Sequence, residues 1–403
     1  MTTKPIKETL AGTIPTATPS DEAAAEPVAS ENLCRPEEVR AFNRRGLFLG
    51  GCPKSGTTLL LSLLDGHPKL VVLPEETHFL EQRTDYSALG SYQAKLRRLL
   101  EKSDLPLLGG RKPGQIGKAP SADLRDYSSF DHQQFTRLAA GFVAQPWIND
   151  SMLLSETIRA YAIAIGWDWR NCVRWVEKST CNELCPEALF ELFPEAKLIH
   201  VVRDPRGVFA SVKRRLLNRS GSYTKAHRLV RGWNRSCRQI QKLMDRREQY
   251  LVVRYEDLIQ APRESLERVC RFVGIEFVPE LLTPTRAGRQ WQGNSSFHTA
   301  FSGISAQSVD HWKHELTEDE IWWVDLHCRE GMRITGYQLQ TDGAFALNRW
   351  LRRLSGETWG GYLRARRASL SQMAGLLEHC RYDATPAGMP TESQSAVIKP
   401  IVK

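Results

Sequence analysis

Short apolar runs alternate with segments of helical spacing along the middle of the chain. The runs of strand length are Leu47–Leu49, Leu70–Leu73, Val173–Val176, Lys197–Val202 and Tyr250–Arg254. Runs of this kind are typical of strands that are buried on both faces of a sheet. Strands that alternate with helices predict an α/β fold, in which a central parallel sheet is flanked by helices in a three-layer sandwich.

Helical spacing follows several of the predicted strands. The segments concerned are Thr57–Leu64, Gly207–Leu217, Ala226–Met244 and Arg263–Val273. Gly66 and Gly274 lie where a left-handed residue can close a helix. A capping box at Thr317–Glu320 predicts a further helix that continues to Glu330.

The regular pattern is confined to the middle of the chain. Residues 1–44 are rich in Thr, Pro, Ala and Glu and lack an apolar period, which predicts a disordered leader. Residues 45–340 are predicted to form one domain, within which residues 80–170 are interpreted as a mainly helical insertion. Residues 341–403 are predicted to be a basic helical extension with a frayed end. This extension is interpreted as an amphipathic helix packed on the domain, with contact to a membrane surface or an acidic partner as the alternative.

Composition and charge indicate a soluble globular protein that handles anions. Of the 403 residues, 41% are hydrophobic and 25% are charged, and the net charge of +9 does not identify the anion. The chain has no run of about eighteen apolar residues, and its first residues lack the apolar centre of a signal peptide. The nine cysteines show no regular spacing, which favours reduced thiols. A cytoplasmic location is therefore expected.

The sequence predicts no metal site. Cys181 and Cys185 could form half of a zinc site, but no Cys or His pair follows at finger-like spacing. Asp204 is the only candidate for the acidic residue that holds magnesium in ordinary nucleotide-hydrolysing enzymes. The pattern therefore favours chemistry without a metal ion.

A glycine-containing turn connects the first predicted strand to the first helix. Its residues are Pro53, Lys54, Ser55, Gly56, Thr57 and Thr58. Backbone N–H groups at such a helix start converge on an anion, and glycine lets the backbone approach phosphate oxygens closely. In a Walker loop a lysine directly follows the second glycine. In this chain the corresponding glycine is Gly56, which is followed by Thr57, whereas the lysine, Lys54, lies inside the turn. That displacement argues against an ordinary nucleotide kinase or ATPase.

The turn and the residues around it resemble a known family. The stretch LFLGGCPKSGTTLLLSLLDGHPKLVVLPEETHFL is similar to the 5′-phosphosulfate loop of sulfotransferases that use 3′-phosphoadenosine-5′-phosphosulfate (PAPS). The nearest likeness is the Golgi-type branch, which includes tyrosylprotein and heparan-sulfate sulfotransferases and many bacterial relatives. The resemblance covers residues 46–337. It implies a P-loop-containing fold, PAPS as the co-substrate, and metal-free transfer of a sulfuryl group to a hydroxyl or an amine.

Two further motifs resemble elements of the nucleotide site. The segment Val201–Ser211 is similar to the element that holds the 3′-phosphate, which implies that role for Arg203 and Ser211. A guanidinium fork suits a phosphate that is held in one orientation. A buried structural pair of Arg203 with Asp204 is the alternative. Tyr255, in the sequence Arg-Tyr-Glu-Asp-Leu, is implied either to lie against the nucleotide or to support the fold.

A last motif, Asn294–Lys313, resembles a loop that closes over PAPS. It lacks the Arg-Lys-Gly signature of the cytosolic branch. Nucleotide contacts by Ser295, Ser296 or Lys313 are therefore not implied by the resemblance.

The resemblance also implies catalytic roles. Sulfuryl transfer needs an in-line approach and stabilisation of the charge on the bridging oxygen. Lys54, and Lys178 in a Glu-Lys sequence like that of the family, are the implied donors to that oxygen. Glu76, the second residue of a Glu-Glu pair, is the implied base, and His78 is the second candidate because cytosolic members use histidine. Two adjacent carboxylates near a sulfonate also predict a raised pKa for one of them.

Three alternatives to sulfuryl transfer remain at this point. They are a P-loop kinase that uses ATP and magnesium, a non-catalytic nucleotide- or glycan-binding protein, and a nucleic-acid-binding protein. The last is disfavoured because the basic residues form no recognised module. A carbohydrate is the preferred acceptor, with lipid-linked, peptide (including tyrosine) and small-alcohol acceptors left open. Residues 80–170 are expected to decide between them.

Overall fold

The computed structural model describes residues 34–109, 127, 130–220, 223–291, 304 and 307–340. The predictions for residues 1–33, for Ser295 and Ser296, and for the basic extension 341–403 fall outside the described residues. The leader prediction ends too late, because Pro36–Asn43 forms a helix that buries Val39 and Phe42.

The centre of the domain is a parallel sheet of five strands. The strands are β1 (Gly46–Gly50), β2 (Leu70–Val72), β3 (Arg174–Lys178), β4 (Lys197–Val202) and β5 (Tyr250–Arg254). Their order across the sheet is β2-β3-β1-β4-β5, and every pairing is parallel. The predicted central parallel sheet is therefore confirmed.

Helices cover both faces of this sheet. In chain order they are α1 (Pro36–Asn43), α2 (Thr57–Leu64), α3 (Arg83–Ser87), α4 (Tyr92–Lys102), α5 (His132–Val143), α6 (Asp150–Ala164), α7 (Pro186–Leu192), α8 (Pro205–Ser220), α9 (Tyr223–Leu243), α10 (Tyr255–Gln260), α11 (Pro262–Val273), α12 (Gln307–Asp310), α13 (Trp312–Glu315) and α14 (Glu318–Thr335). Short 3-10 helices occur at Leu105–Gly109, Trp169–Asn171, Asn182–Leu184 and Pro279–Leu282. A small antiparallel hairpin, β6 (Thr285–Arg286) and β7 (Arg289–Gln290), follows α11.

The two faces of the sheet pack into separate cores, because successive strand residues point to opposite faces. On one face Phe48 and Trp175 pack with Phe193, and the rings of Phe48 and Trp175 meet edge to face with centroids 5.3 Å apart. On the other face Leu47 and Leu49 pack with residues of α2, α10 and α11. The predicted three-layer sandwich is confirmed by this arrangement.

The largest difference between predicted and observed strand limits is in β3. The apolar run at Val173–Val176 predicts a strand that stops before the charged residues, whereas β3 starts at Arg174 and includes Glu177 and Lys178. Both charged side chains are buried. Each of them has hydrogen-bond or ionic partners, which is what makes a buried charge tolerable.

The described parts of residues 80–170 are largely helical and contain α3, α4, α5 and α6. Helix α6 is buried over almost its whole length, and Glu156 and Arg159 form an ion pair inside it. The interpretation of residues 80–170 as an acceptor-binding insertion stays a prediction. Among the described residues, no helix combines the length and the apolar character needed to cross a bilayer.

Candidate active site

The turn between β1 and α2, called here the glycine loop (residues 51–58), has a backbone that requires glycine at two positions. Gly51 and Gly56 have φ angles of 153° and 97°. A Cβ atom on Gly56 would lie 2.3 Å from Cδ2 of Tyr255, and one on Gly51 would lie 2.3 Å from the carbonyl oxygen of Val201. The loop can therefore approach β4 and α10 this closely only without side chains at these positions.

Lys54 lies at the bend of the glycine loop, with φ of 74°. A left-handed conformation at a non-glycine residue costs about 1–3 kcal/mol and is concentrated at functional sites. Ser55 is fully buried, and its Oγ atom makes no hydrogen bond within the described residues. An anion at the start of α2 would satisfy this hydroxyl together with the backbone N–H groups of the first helical turn, which have no partner within a helix.

Arg203 follows β4 and is directed at the glycine loop. Its Nη1 atom donates to the carbonyl oxygen of Lys54 at 3.2 Å and to Oγ of Ser211 at 3.5 Å. Its guanidinium group lies 4.2 Å from the centroid of the Tyr255 ring. The structure thus brings together the loop, Arg203, Ser211 and Tyr255, which the sequence predicted as one nucleotide site.

The alternative of a structural pair between Arg203 and Asp204 does not describe this motif. Asp204 instead forms a bidentate pair with Arg206, with Nε–Oδ1 and Nη2–Oδ2 distances of 2.9 and 2.6 Å. The second arginine of the motif thus takes the structural role. Arg203 is directed at the glycine loop.

Glu76 and Lys178 form an ion pair beside the glycine loop. Lys178 is the last residue of β3 and is in register with Leu49 of β1, so it lies next to the start of the loop. Its Nζ atom donates to Oε1 of Glu76 at 2.5 Å. The other carboxylate oxygen, Oε2, accepts from the backbone N–H and the hydroxyl of Thr180 at 3.0 and 3.1 Å. The predicted base and the predicted lysine donor are therefore in direct contact.

The prediction of a raised pKa for one of the paired carboxylates does not hold for Glu76. Burial by itself raises the pKa of Glu76, but the Lys178 ammonium and the hydrogen bonds from Lys178 and Thr180 outweigh burial. The pKa of Glu76 therefore lies below its ordinary value. The physical reason is that Glu75 and Glu76 point to different partners and do not share a site.

Glu75 is directed into the protein. It is buried, and its Oε1 atom accepts from the Tyr127 hydroxyl at 2.6 Å and from Nη2 of Arg286 at 2.7 Å. Each of the two adjacent carboxylates thus has its own cation. Nothing in the local sequence signals Arg286, which lies more than two hundred residues further along the chain.

His78, the second candidate base, lies beside Glu76. Its Nε2 atom is 3.9 Å from Oε2 of Glu76, and its Nδ1 atom is 3.3 Å from Glu81. The hydrogen bond with Glu81 raises the pKa of His78, burial opposes this, and Glu76 adds to the increase. Both candidate bases thus lie side by side, and Glu76 is the one in contact with Lys178.

Glu177 is a buried residue that the sequence analysis did not identify as part of the site. Its Oε1 atom accepts from the hydroxyls of Thr77 and Ser179 at 2.7 and 2.6 Å, and its Oε2 atom accepts from Asn182 at 2.8 Å. Asn182 also donates to the carbonyl oxygen of Leu49 at 3.1 Å. Glu177 therefore ties the loop that carries Glu76 to the ends of β3 and β1. Alternation along β3, which places residues 177 and 178 on opposite faces, is the signal that could have indicated it.

The remaining predicted residues lie as follows. Pro53 is exposed, and Thr58 is half-buried in the first turn of α2. Lys313 is exposed and pairs with Asp310 at 3.0 Å. The described residues contain no group of three or more His, Cys, Asp or Glu side chains that could hold a metal ion. The absence of a metal from the reaction stays a prediction.

Comparison with known proteins adds the following. A family model described as "Sulfotransferase family" matches residues 46–279, more than half of the chain. Carbohydrate sulfotransferase 4 of Mus musculus is 28% identical over 179 residues, which is 38% of this chain and 45% of the mouse protein. A Caenorhabditis briggsae protein named "Putative protein-tyrosine sulfotransferase" is 23% identical over 243 residues, 59% of this chain and 68% of that protein.

Among solved structures, the sulfotransferase domain of the Synechococcus PCC 7002 olefin synthase is similar to this chain. It has 21% sequence identity and a TM-score of 0.44, with coverage of 73% of this chain and 94% of that domain. The fold assignment rests on the sheet of this chain itself. The chain spans less than half of the length of the mouse carbohydrate sulfotransferase that it matches.

Proposed function

The chain belongs to the sulfotransferase family, and from this membership we propose that it transfers the sulfuryl group of PAPS to a hydroxyl or an amine of an acceptor. The observation that carries the proposal is the contact between Glu76 and Lys178, at 2.5 Å, beside the glycine loop. A carboxylate and an ammonium group at that place can serve the two ends of one group transfer, because one accepts a proton while the other stabilises a leaving oxygen.

In this proposal the glycine loop holds the 5′-phosphosulfate of PAPS. The backbone N–H groups at the start of α2 and the hydroxyls of Ser55, Thr57 and Thr58 face the anion. The unsatisfied Ser55 hydroxyl supports this fit. Arg203 and Ser211 hold the 3′-phosphate, and Tyr255 lies against the nucleotide. No metal ion takes part.

The proposed transfer is a single in-line displacement at sulfur. Glu76 accepts the proton of the acceptor hydroxyl or amine, whose lone pair forms the new bond to sulfur. The bond from sulfur to the bridging phosphate oxygen breaks, and the electron pair stays on that oxygen. Lys54 and Lys178 donate hydrogen bonds to the oxygen as its negative charge develops, which lowers the barrier.

The ion pair of Glu76 with Lys178 sets the order of these reaction steps. While Lys178 is held by Glu76, the carboxylate is a weak base because its pKa lies below the ordinary value. When Lys178 turns toward the bridging oxygen of PAPS, Glu76 loses that stabilisation and becomes a stronger base. Binding of the donor thus prepares the base before the acceptor reacts.

A carbohydrate, free or lipid-linked, is the proposed acceptor. Support comes from the carbohydrate sulfotransferases among the relatives, including human carbohydrate sulfotransferase 3, which is 27% identical over 176 residues. A peptide tyrosine is the second candidate, supported by the similarity to the Caenorhabditis briggsae protein. Helices α3–α6, which follow the loop that carries Glu76, are the proposed acceptor-binding elements.

The proposed location is the cytoplasm. The eight cysteines of the described residues are free thiols, which agrees with a reducing compartment. Cell fractionation with antibody detection tests this point. Recovery in a secretory compartment would contradict it.

The first test compares nucleotides by thermal shift. Adenosine 3′,5′-bisphosphate (PAP), the product of the donor, should stabilise the protein by about 2.7 kcal/mol at a concentration one hundred times its Kd. ADP with magnesium should have no such effect. Stabilisation by ADP and magnesium alone would instead support the kinase alternative.

The second test uses radiolabelled PAPS with a panel of acceptors. The panel contains oligosaccharides, a glycolipid, a tyrosine-containing peptide and a simple alcohol. Label is expected in the carbohydrate fractions. Transfer to the peptide alone would change the acceptor, and PAP binding without any transfer would favour a non-catalytic nucleotide-binding protein.

A further inference from the structure

The β6–β7 hairpin is fixed against α2 and presents one arginine to the site. Oδ2 of Asp65, at the end of α2, accepts from the hydroxyl of Thr285 at 2.7 Å and from the backbone N–H of Gly288 at 2.9 Å. Ala287 and Gly288 have φ angles of 50° and 73°, so the two strands are joined by a tight turn. Arg286 is therefore held on a short and well-anchored element.

The side chain of Arg286 reaches the residues directly before Glu76. Its Nη2 atom donates to Oε1 of Glu75 at 2.7 Å and to the carbonyl oxygen of Pro74 at 3.0 Å. Its Nε atom donates to the hydroxyl of Tyr127 at 2.9 Å, and that hydroxyl in turn donates to Glu75. One guanidinium group thus holds both a side chain and the backbone of the loop.

Arg286 is the cation that makes the burial of Glu75 tolerable. The Glu75 side chain is 1% exposed, and that of Arg286 is 14% exposed. A buried carboxylate without a cation must either take up a proton or move toward another positive group. Lys178 is the positive group that pairs with Glu76, the residue next to Glu75.

We propose that Arg286 is a positioning residue for sulfuryl transfer, which acts through Glu75 and Pro74 to keep Glu76 directed at Lys178 and Thr180. The inference rests on the function proposed above, because it gives Glu76 the role of the base. Arg286 lies beyond residues 46–279, the segment that matches the family model. Its role follows from the geometry of this chain.

The experiment is a double-mutant cycle of Arg286→Gln and Glu75→Gln. Activity is measured with labelled PAPS and the acceptor found in the panel, and PAP affinity is measured by calorimetry. In Arg286→Gln the buried Glu75 loses its cation, and kcat should fall about 10- to 100-fold because the base is displaced. The Kd of PAP should change by less than about 3-fold, since Arg286 contacts Pro74, Glu75 and Tyr127 on the side of the base.

The double variant tests whether the effect of Arg286 on kcat runs through the charge of Glu75. Glu75→Gln removes the charge that Arg286 neutralises, so Arg286→Gln with Glu75→Gln should be more active than Arg286→Gln alone. Arg286→Lys keeps the charge but loses the fork, and it should be intermediate. Arg263→Gln, a change to an arginine whose side chain is 59% exposed on α11, serves as the matched control and should leave kcat unchanged.

The outcomes separate the two proposals. If the unmodified protein binds no PAP and transfers no label, the proposed function fails, and the role of Arg286 fails with it. If the unmodified protein is active and Arg286→Gln retains kcat within about 2-fold, only the inference about Arg286 is overturned. It is also overturned if PAP affinity falls in parallel with kcat, or if Glu75→Gln does not restore activity. If Arg286→Gln fails to fold, Arg286→Lys and Glu75→Gln are compared in its place. A loss of kcat is expected in Arg286→Lys. Full kcat in that variant would contradict the inference.

Discussion

The nucleotide side and the base side of the site are built in different ways. On the nucleotide side the glycine loop is one continuous segment between β1 and α2, and its shape follows from left-handed residues within that segment. On the base side, Glu76 is held by Lys178 and Thr180, which lie 102 and 104 residues later, and its neighbour Glu75 is held by Arg286. The loop proposed to bind the anion is thus encoded locally, whereas the direction of the proposed base is set by contacts between distant segments.

This difference has a physical origin. Backbone N–H groups at a helix start point in one direction whatever the side chains are, so a short segment is sufficient to bind an anion. A buried carboxylate has no preferred direction of its own and takes the direction of its hydrogen-bond donors. Substitutions on the two sides should therefore affect different steps of the reaction.

The largest effect is expected on the base side, from Glu76→Gln. Removal of the base should lower kcat by about 10²–10⁴. PAP affinity should remain close to that of the unmodified protein, because the glycine loop and Arg203 are unchanged. Steady-state kinetics with labelled PAPS and calorimetry with PAP measure the two quantities.

The matched control for this variant is Glu191→Gln, which alters a carboxylate whose side chain is 64% exposed on α7. It should leave both quantities unchanged. Full turnover by Glu76→Gln would remove Glu76 from the mechanism and make His78 the leading candidate for the base.

Gly56→Ala is expected to have a smaller effect. This effect should be on the binding of the donor and not on the chemical step. The added Cβ would meet the Tyr255 ring, and alanine disfavours the φ of 97° at this position. The free loop would relax, and binding of the donor would have to restore the strained form at about 1–3 kcal/mol, which is about 5- to 150-fold in PAP affinity. Calorimetry with PAP measures this change.

Gly232→Ala, at a helical glycine of α9 where a Cβ would meet no atom within 4 Å, is the matched control. If Gly56→Ala lowered kcat and left PAP affinity unaltered, the division of the site into two sides would be wrong.

The smallest effect concerns the pH dependence of stability and should be confined to the base side. The pKa of Glu76 is lower in the folded protein than in the unfolded chain, because Lys178 and Thr180 outweigh burial. A lowered folded pKa contributes stability above the unfolded value of about 4.3, and this contribution disappears as the pH falls through the folded pKa. Urea unfolding of the unmodified protein and of Glu76→Gln should therefore differ most near pH 7 and converge toward pH 3. A difference between the two that is constant over this range would show that the ion pair is not the cause.

The sequence was sufficient for the sheet and for the glycine loop. The limits of β4 and β5 were predicted correctly, since apolar runs bounded by polar residues define strands that are buried on both faces. The limits of β3 were not, because Glu177 and Lys178 are buried charges whose partners come from other segments. Hydrophobic pattern cannot reveal such partners.

The candidate site also combines features that are encoded locally with features that depend on distant segments. By itself the sequence determined the turn that holds Gly51, Lys54 and Gly56 between a strand and a helix, because such a turn is a local property. Only the tertiary structure decided that Glu76 pairs with Lys178 and Glu75 with Arg286. The two glutamates are adjacent and chemically identical, so only the positions of cations from distant segments can distinguish them.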